Sequence, residues 1–510
     1  MRRTFLAVAS ALCFAGAVHA AVPVAQPTPA VAEAPRLGYA IVVTDSAVLR
    51  AAPRESAQQQ AQLYAGELLE VRGEKLEFLQ VWDHRRERGG YVRASQLQRT
   101  GLAAHEAPAL LAVLRFLRER PGQETLGIGL AAAWLRAAPA ESVRTEGGAE
   151  VLDAIGTLAD RLAQQASAGA ALSKPAQARV AAYLDVATRY GMVFTSYESE
   201  ARMQVCYDGE AFRRVLAMPS SDPAARARAA LGLTRPECQD PAAKPLERHE
   251  RNRWRADALE RADAAGLPGT LKNRLHLRRA AVWSSLAYEY ARLAQPTAAA
   301  TAASRALGEF AAVRREDLAE EDAAGFNDAA MRVNAVRWAA LPAATPDAAG
   351  ARPHVVMVAG QPGETCVLLI DAKHDASRPL ARRCTYALVW PQSATLNREG
   401  NALALAVQPL EAWRELWVFR RQAGGWVIDA LPPAALQPEL GYAEFAGWVP
   451  GGKQLLLARE ARGDGRYQRN YEVVSLDSLA VARQSGDAGS LGPFQRWQDP
   501  AWKRQTVSLR

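Results

Sequence analysis

The chain is poor in the residues that most often announce chemistry. Among 510 residues there are seven histidines and five cysteines. Beyond the first twenty residues no apolar run reaches the roughly 20 residues that a bilayer-spanning helix requires, so no transmembrane anchor is expected. The histidines never fall at the H-E-x-x-H spacing that sets two imidazoles on one helix face for zinc. C-x-x-C pairs are lacking, and so is the G-x-S-x-G elbow of serine hydrolases. His84 lies in a charged hairpin, His105 opens a helical stretch, and His249 and His276 stand among arginines. His374, with Asp371 and Asp375, comes nearest to a metal-binding cluster. It reads as loop polarity, because a metal site needs more converging ligands. No catalytic residue, metal or cofactor is therefore expected.

What is present starts with "MRRTFLAVASALCFAGAVHA". Two arginines, a short apolar stretch and a small residue at Ala20 read as a secretory signal over 1–20. Cys13 lies inside it behind bulky Leu12, where a lipidation signal carries a small residue. A Pro- and Ala-rich spacer follows over 21–37. Cleavage would lower the formal charge from +8 to +6, with 60 basic residues against 54 acidic. The arginines are interleaved with acids and alanines on helix-like segments, a pattern expected of solvated faces. Export and the want of a basic stripe with aromatics argue against nucleic acid as a partner. Cys206, Cys238, Cys366 and Cys384 remain, an even count that reads as disulfides with three possible pairings. Cys206–Cys238 and Cys366–Cys384 are favoured, since each closes a modest loop within one predicted domain.

Residues 38–98 alternate apolar and polar residues and are broken by turn formers, as short strands do. Within them stand Leu49-Arg50-Ala51-Ala52-Pro53, then Leu63-x-x-Gly66-Glu67-x-Leu69-x-Val71, Gln80-Val81-Trp82, and Gly90-Tyr91-Val92 with Leu97 after it. In that order the pieces resemble a bacterial SH3 (SH3b) domain. The resemblance implies a small β-barrel that binds peptidoglycan stem peptides, binds a protein partner, or only packs. Tyr39, Trp82, Tyr91 and Arg93 would be its surface candidates, although Trp82 in so small a barrel is equally suited to the core. Val71, Leu79, Val81 and Val92 would point inward. Gly66 suits a turn, and Gly89-Gly90 could take backbone angles closed to other residues.

From 102 to 341 alanine, leucine and arginine dominate, with apolar residues at i, i+3 and i+4 and breaks at Pro or Gly, the pattern of a helical bundle. Residues 278–313 resemble a single tetratricopeptide hairpin, with Trp283, Leu286, Ala287, Tyr290, Ala302 and Ala306 near consensus places. The acidic run Arg314 to Asp328 reads as a solvated helix face. A Pro/Ala linker at 342–353 precedes a β-rich region over 354–510. There an imperfect repeat matches Trp390 to Trp448, Gly400 to Gly452, and Leu416-x-Val418 to Tyr471-x-Val473, with a truncated third unit around Trp497. These units resemble blades of TolB-like β-propellers, too few to close a ring. The fold class expected is multidomain α+β: a small SH3-like β-barrel, an all-α bundle, and a C-terminal antiparallel β-repeat domain, either an incomplete propeller or a sandwich.

One stretch invites a nucleotide reading. "GWVPGGKQ" sets Gly447, Gly452 and Lys453 at the spacing of a phosphate-binding loop. Gln454 stands where a magnesium-holding Ser or Thr belongs, and a strand-like run follows where a helix is needed. A hairpin turn with Lys453 exposed is expected, and no nucleotide. The function these features suggest is a non-catalytic periplasmic protein. Its barrel would dock to peptidoglycan or an envelope protein, and its other domains would serve as interaction scaffold. The alternative is a cell-wall hydrolase whose active site lies in the helical domain. That region shows neither the Cys/His pattern of wall peptidases nor the Glu-centred pattern of lytic transglycosylases.

Overall fold

Period-two alternation in the N-terminal region becomes seven strands: β1 (Tyr39–Val42), β2 (Ala47–Arg50), β3 (Gln59–Leu63), β4 (Leu68–Lys75), β5 (Phe78–Asp83), β6 (Arg88–Arg93) and β7 (Leu97–Thr100). In this computed structural model the described residues are 38–199, 202–342, 352–435, 439–463 and 465–505. The expected signal peptide, the spacer and most of the 342–353 linker lie outside them. The seven strands form one antiparallel sheet in the order β3-β2-β6-β5-β4-β1-β7. Every strand sends residues to one interior cluster that includes Val71, Leu79, Val81 and Val92, so the sheet curls about its own core. Gly66 occupies the turn before β4 at φ +95°, as a turn glycine should. Gly89 and Gly90 differ from expectation: both are ordinary strand residues without positive φ. Gly90 is needed for close packing, since a Cβ there would sit 2.7 Å from the Leu49 side chain.

Helical periodicity gives α1 (Ala107–Arg118), α2 (Glu124–Ala137), α3 (Glu146–Ser167) and α4 (Lys174–Arg189). A hairpin of β8 (Phe194–Ser199) and β9 (Arg202–Tyr207) interrupts them, an element the alanine-rich pattern does not announce. Then come α5 (Glu210–Ala217), α6 (Pro223–Leu233), α7 (Pro245–Glu260), α8 (Gly269–Arg292), α9 (Pro296–Ala311) and α10 (Ala323–Val336). The tetratricopeptide-like pair is the α8–α9 hairpin, with Leu286, Ala287, Ala302 and Ala306 buried between small faces. The acidic run is not one helix. It makes two short 3₁₀ turns before α10, and Glu321 and Asp322 are used to pair with Arg274.

The C-terminal region opens with a three-stranded sheet of β10 (His354–Ala359), β11 (Thr365–Ile370) and β12 (Ala381–Thr385). Two repeat units follow. The first is β13 (Leu388–Leu396), β14 (Ala402–Leu410), β15 (Trp413–Gln422) and β16 (Gly425–Leu431). The second is β17 (Leu440–Val449), β18 (Gln454–Gly463), β19 (Arg466–Ser475) and β20 (Val481–Ser485). Trp390 and Trp448 lie on the first strand of each, Gly400 and Gly452 in the first turn, Leu416 and Tyr471 on the third strand. The units join edge to edge, because Trp413 and Arg414 pair in parallel with Gly441 and Tyr442. Their inward residues, among them Leu416, Val418, Leu455 and Leu457, share one core.

The expected third unit does not form among the described residues. Around Trp497 the chain forms α11 (Gly492–Trp497) and α12 (Pro500–Gln505), which cover the back of the second unit through Phe494 and Trp502. A bulge at Ala446 frees its carbonyl to accept the Asp499 N–H at 2.7 Å. A Cβ on Gly447 would stand 2.3 Å from the Trp497 carbonyl oxygen, so glycine is required there by contact. Residues 450–453 are a hairpin turn with Lys453 exposed and Leu455–Leu457 in a strand. The expected disulfides are both formed, Cys206–Cys238 between β9 and the turn after α6, and Cys366–Cys384 directly across β11–β12. No helix among the described residues is long and apolar enough to cross a membrane.

Candidate functional site

Tyr39, Trp82, Tyr91 and Arg93 all lie on the outer face of the N-terminal sheet and are half-buried. Strand register builds that face. Tyr39 stands opposite Glu70, and Glu70 opposite Trp82, in one row across β1, β4 and β5. Gly89 faces Trp82 from β6 and, lacking a side chain, leaves space for the indole. Tyr91, two residues along β6, is therefore a diagonal neighbour of Trp82. The Arg72 guanidinium covers the Trp82 ring at 4.2 Å. Glu70 accepts from Arg72 at 3.2 Å and meets His84 Nε2 at 2.6 Å. Its carboxyl is held below the usual carboxylate range by the Arg72 bond, against burial and with help from His84. Arg93 pairs with Glu55 and with Glu77.

The rear of this sheet is fixed to the helices. Tyr190 donates to the Gly66 carbonyl at 2.7 Å. A Cβ on Gly66 would come within 2.1 Å of the Thr125 carbonyl on α2, so the turn and the helix touch backbone to backbone. Glu67, nearly inaccessible, accepts from Arg86 at 2.6 Å.

A second site was not singled out in the sequence. The buried stripe of α7 is polar, with His249, Asn252 and Arg255 at i, i+3 and i+6 facing α8. His249 Nδ1 lies 3.0 Å from one oxygen of Glu289, and Asn252 donates to the other at 2.7 Å. Asn252 in turn accepts from Arg255 at 3.0 Å, and Arg255 donates to the Thr234 carbonyl at 2.7 Å. Burial raises the Glu289 carboxyl above its ordinary range, opposed by its bonds from Asn252 and His249. The imidazole stands edge-on to Tyr290, 5.0 Å between centroids.

Against this stripe the C-terminal sheet inserts the two-residue turn between β14 and β15. Trp390 donates to Gln408 at 2.9 Å, and Gln408 donates to the Glu411 carbonyl at 2.7 Å, which sets the turn. The Glu411 carboxylate accepts from the Ser285 hydroxyl and pairs with Arg332 at 3.4 Å. Two cavities meet there, one of about 570 Å³ and largely apolar, the other of about 250 Å³ and polar, with Arg248 and Glu411 lining both. No family model, curated protein or solved structure matches the chain. The chemistry of both sites has to be argued from their own atoms.

His249 and Glu289 could exchange a proton, yet both carboxylate oxygens are occupied, and among the described residues no hydroxyl bonds to His249. The pair serves chiefly to lock α7 to α8. His374 bonds Asp371 at 2.8 Å, while Asp375 caps its own turn through Ser377 and Arg378. Glu364 lies beside Cys366 and Cys384, whose sulfurs are joined to each other. Four arginines depart from the solvated pattern expected of them: Arg255, Arg279, Arg337 and Arg414 are buried.

Proposed function

We propose that this chain is a non-catalytic binding protein of the cell envelope. The outer face of its N-terminal sheet docks to peptidoglycan or to an envelope protein, and the helical and C-terminal regions serve as its scaffold. The observation that carries the reading is the neighbouring pair of half-exposed aromatics, Trp82 and Tyr91, flanked by Arg72 and Arg93. Aromatic faces beside guanidinium groups suit peptides that carry carboxylates, as stem peptides do. The backbone contact at Gly66 keeps that face at a fixed orientation on the helices. Export is supported by the signal-like N-terminus and by the two disulfides.

Co-sedimentation of the full chain with purified peptidoglycan tests the reading. Trp82→Ala and Tyr91→Ala should each reduce the bound fraction at least tenfold, and an unchanged fraction removes the docking role. The rival reading, a wall hydrolase centred in the helical region, draws on His249 and Glu289 beside a cavity. Zymography decides it: clearing by the wild type that is lost in Glu289→Gln would establish an enzyme.

A further inference from the structure

We propose that the two joined cavities between α7, α8 and the β14–β15 turn form one binding site for a single-chain anionic amphiphile. The acyl chain occupies the apolar chamber, and a carboxylate or phosphate head meets Arg248 and Arg255. This goes beyond docking by the N-terminal sheet and does not depend on it.

The apolar chamber is of ligand size, since pockets for small molecules span about 300–1,000 Å³. Its rim carries Leu246, Leu293 and Leu410, exposed to 64%, 48% and 49%, with Tyr288 on the wall. Three leucines left in water around one opening form a patch that the packing of this chain does not use. The adjoining chamber presents Arg248, Arg255 and Arg332 against Glu411 and Asp240. Glu411 is already engaged by Arg332 and Ser285. Asp240 caps the backbone of Ala242.

Of the three arginines on the polar chamber, Arg248 and Arg255 have no ion-pair partner among the described residues. The Arg248 side chain has neither a hydrogen bond nor an ion pair among the described residues, and it stands where the chambers meet. Arg255 is buried, bonds only to a neutral amide and a backbone carbonyl, and keeps an unpartnered Nε. A buried cation is costly unless an anion joins it. Burial pulls its ionisation down to about 9, with further repulsion from Arg278 and Arg332, so it stays charged at neutral pH. An anionic head would repair this imbalance while its tail removes the leucine rim from water.

Isothermal titration of the full chain with three twelve-carbon probes below their micellar range tests the site. Dodecanoate or monododecyl phosphate should bind one per chain, and which binds more tightly tells whether the head is a carboxylate or a phosphate. Dodecanol should bind at least tenfold more weakly. Arg248→Glu, an exposed change that should leave the melting curve intact, should weaken the anions at least tenfold and leave dodecanol unchanged. Leu410→Asp should abolish binding of all three. The proposal is overturned if neither anion binds saturably, or if dodecanol matches the anions and Arg248→Glu has no effect.

Discussion

Arg414 exposes no surface, yet it is among the largest side chains in the interior. It donates to the Asn334 carbonyl at 2.6 Å and pairs with Glu444 at 3.2 Å. Arg337 donates to the same carboxylate at 2.8 Å, and Asn334 to its other oxygen at 2.9 Å. Burial alone would raise the Glu444 carboxyl, but the charges of Arg337 and Arg414 override it and hold it below its ordinary value. Burial brings the Arg414 guanidinium down to about 10, so it remains a cation. Glu444→Gln leaves two buried guanidinium groups without their anion and should cost about 3–5 kcal/mol, read from the urea midpoint. The pH dependence follows from the lowered carboxyl. Its contribution is complete above the unfolded value of about 4.3 and is lost as pH falls through the folded one. Wild-type stability should therefore drop more steeply on acidification below that point than the Gln variant's. None of this was legible locally: Arg337 and Arg414 look like any arginine in this chain, and their partner lies 107 residues from the first.

At the scale of elements, periodicity served well where one face of a strand or helix meets one core. The strands of the N-terminal sheet follow their alternation, and α1, α3 and α4 fall within the stretch of helical spacing. It failed where a segment takes its shape from a distant surface. The segment around Trp497 looks in sequence like a truncated strand unit, yet it coils into helices because Phe494 and Trp502 find Tyr471 and its neighbours. The cleft was missed for a related reason. Its one local sign is polar residues every third position on α7, while Glu411 comes from another region altogether. The Cys206–Cys238 bridge anchors the turn that leads into Gln239 and Asp240 on the polar chamber. Closing a loop with a separation of 32 residues is worth about 3–4 kcal/mol in the unfolded chain. Replacing both cysteines with alanine should lower unfolding stability by about that amount, and hydrogen exchange should quicken at 236–241 before it does elsewhere.

For the whole molecule, three regions of different composition could be told apart in the sequence, and the α+β class follows from them. How they are fastened could not. The seams include a glycine turn pressed on α2, and the Arg337–Glu444–Arg414 bridge where the two repeat units also meet. A third is the tie from Asp328 on α10 to Arg462 and Tyr467. The closing helices belong to the same accounting. Ending the chain after Asp487 would strip Phe494 and Trp502 from Leu456, Tyr471 and Val473, and bare an apolar sheet face. Such a truncated protein should elute as dimers or larger species in size-exclusion chromatography while the full chain does not. α11 and α12 thus shield the apolar face of the second repeat from other copies of the chain. A protease that clips before residue 492 should bare that face and make the remaining chain self-adhesive.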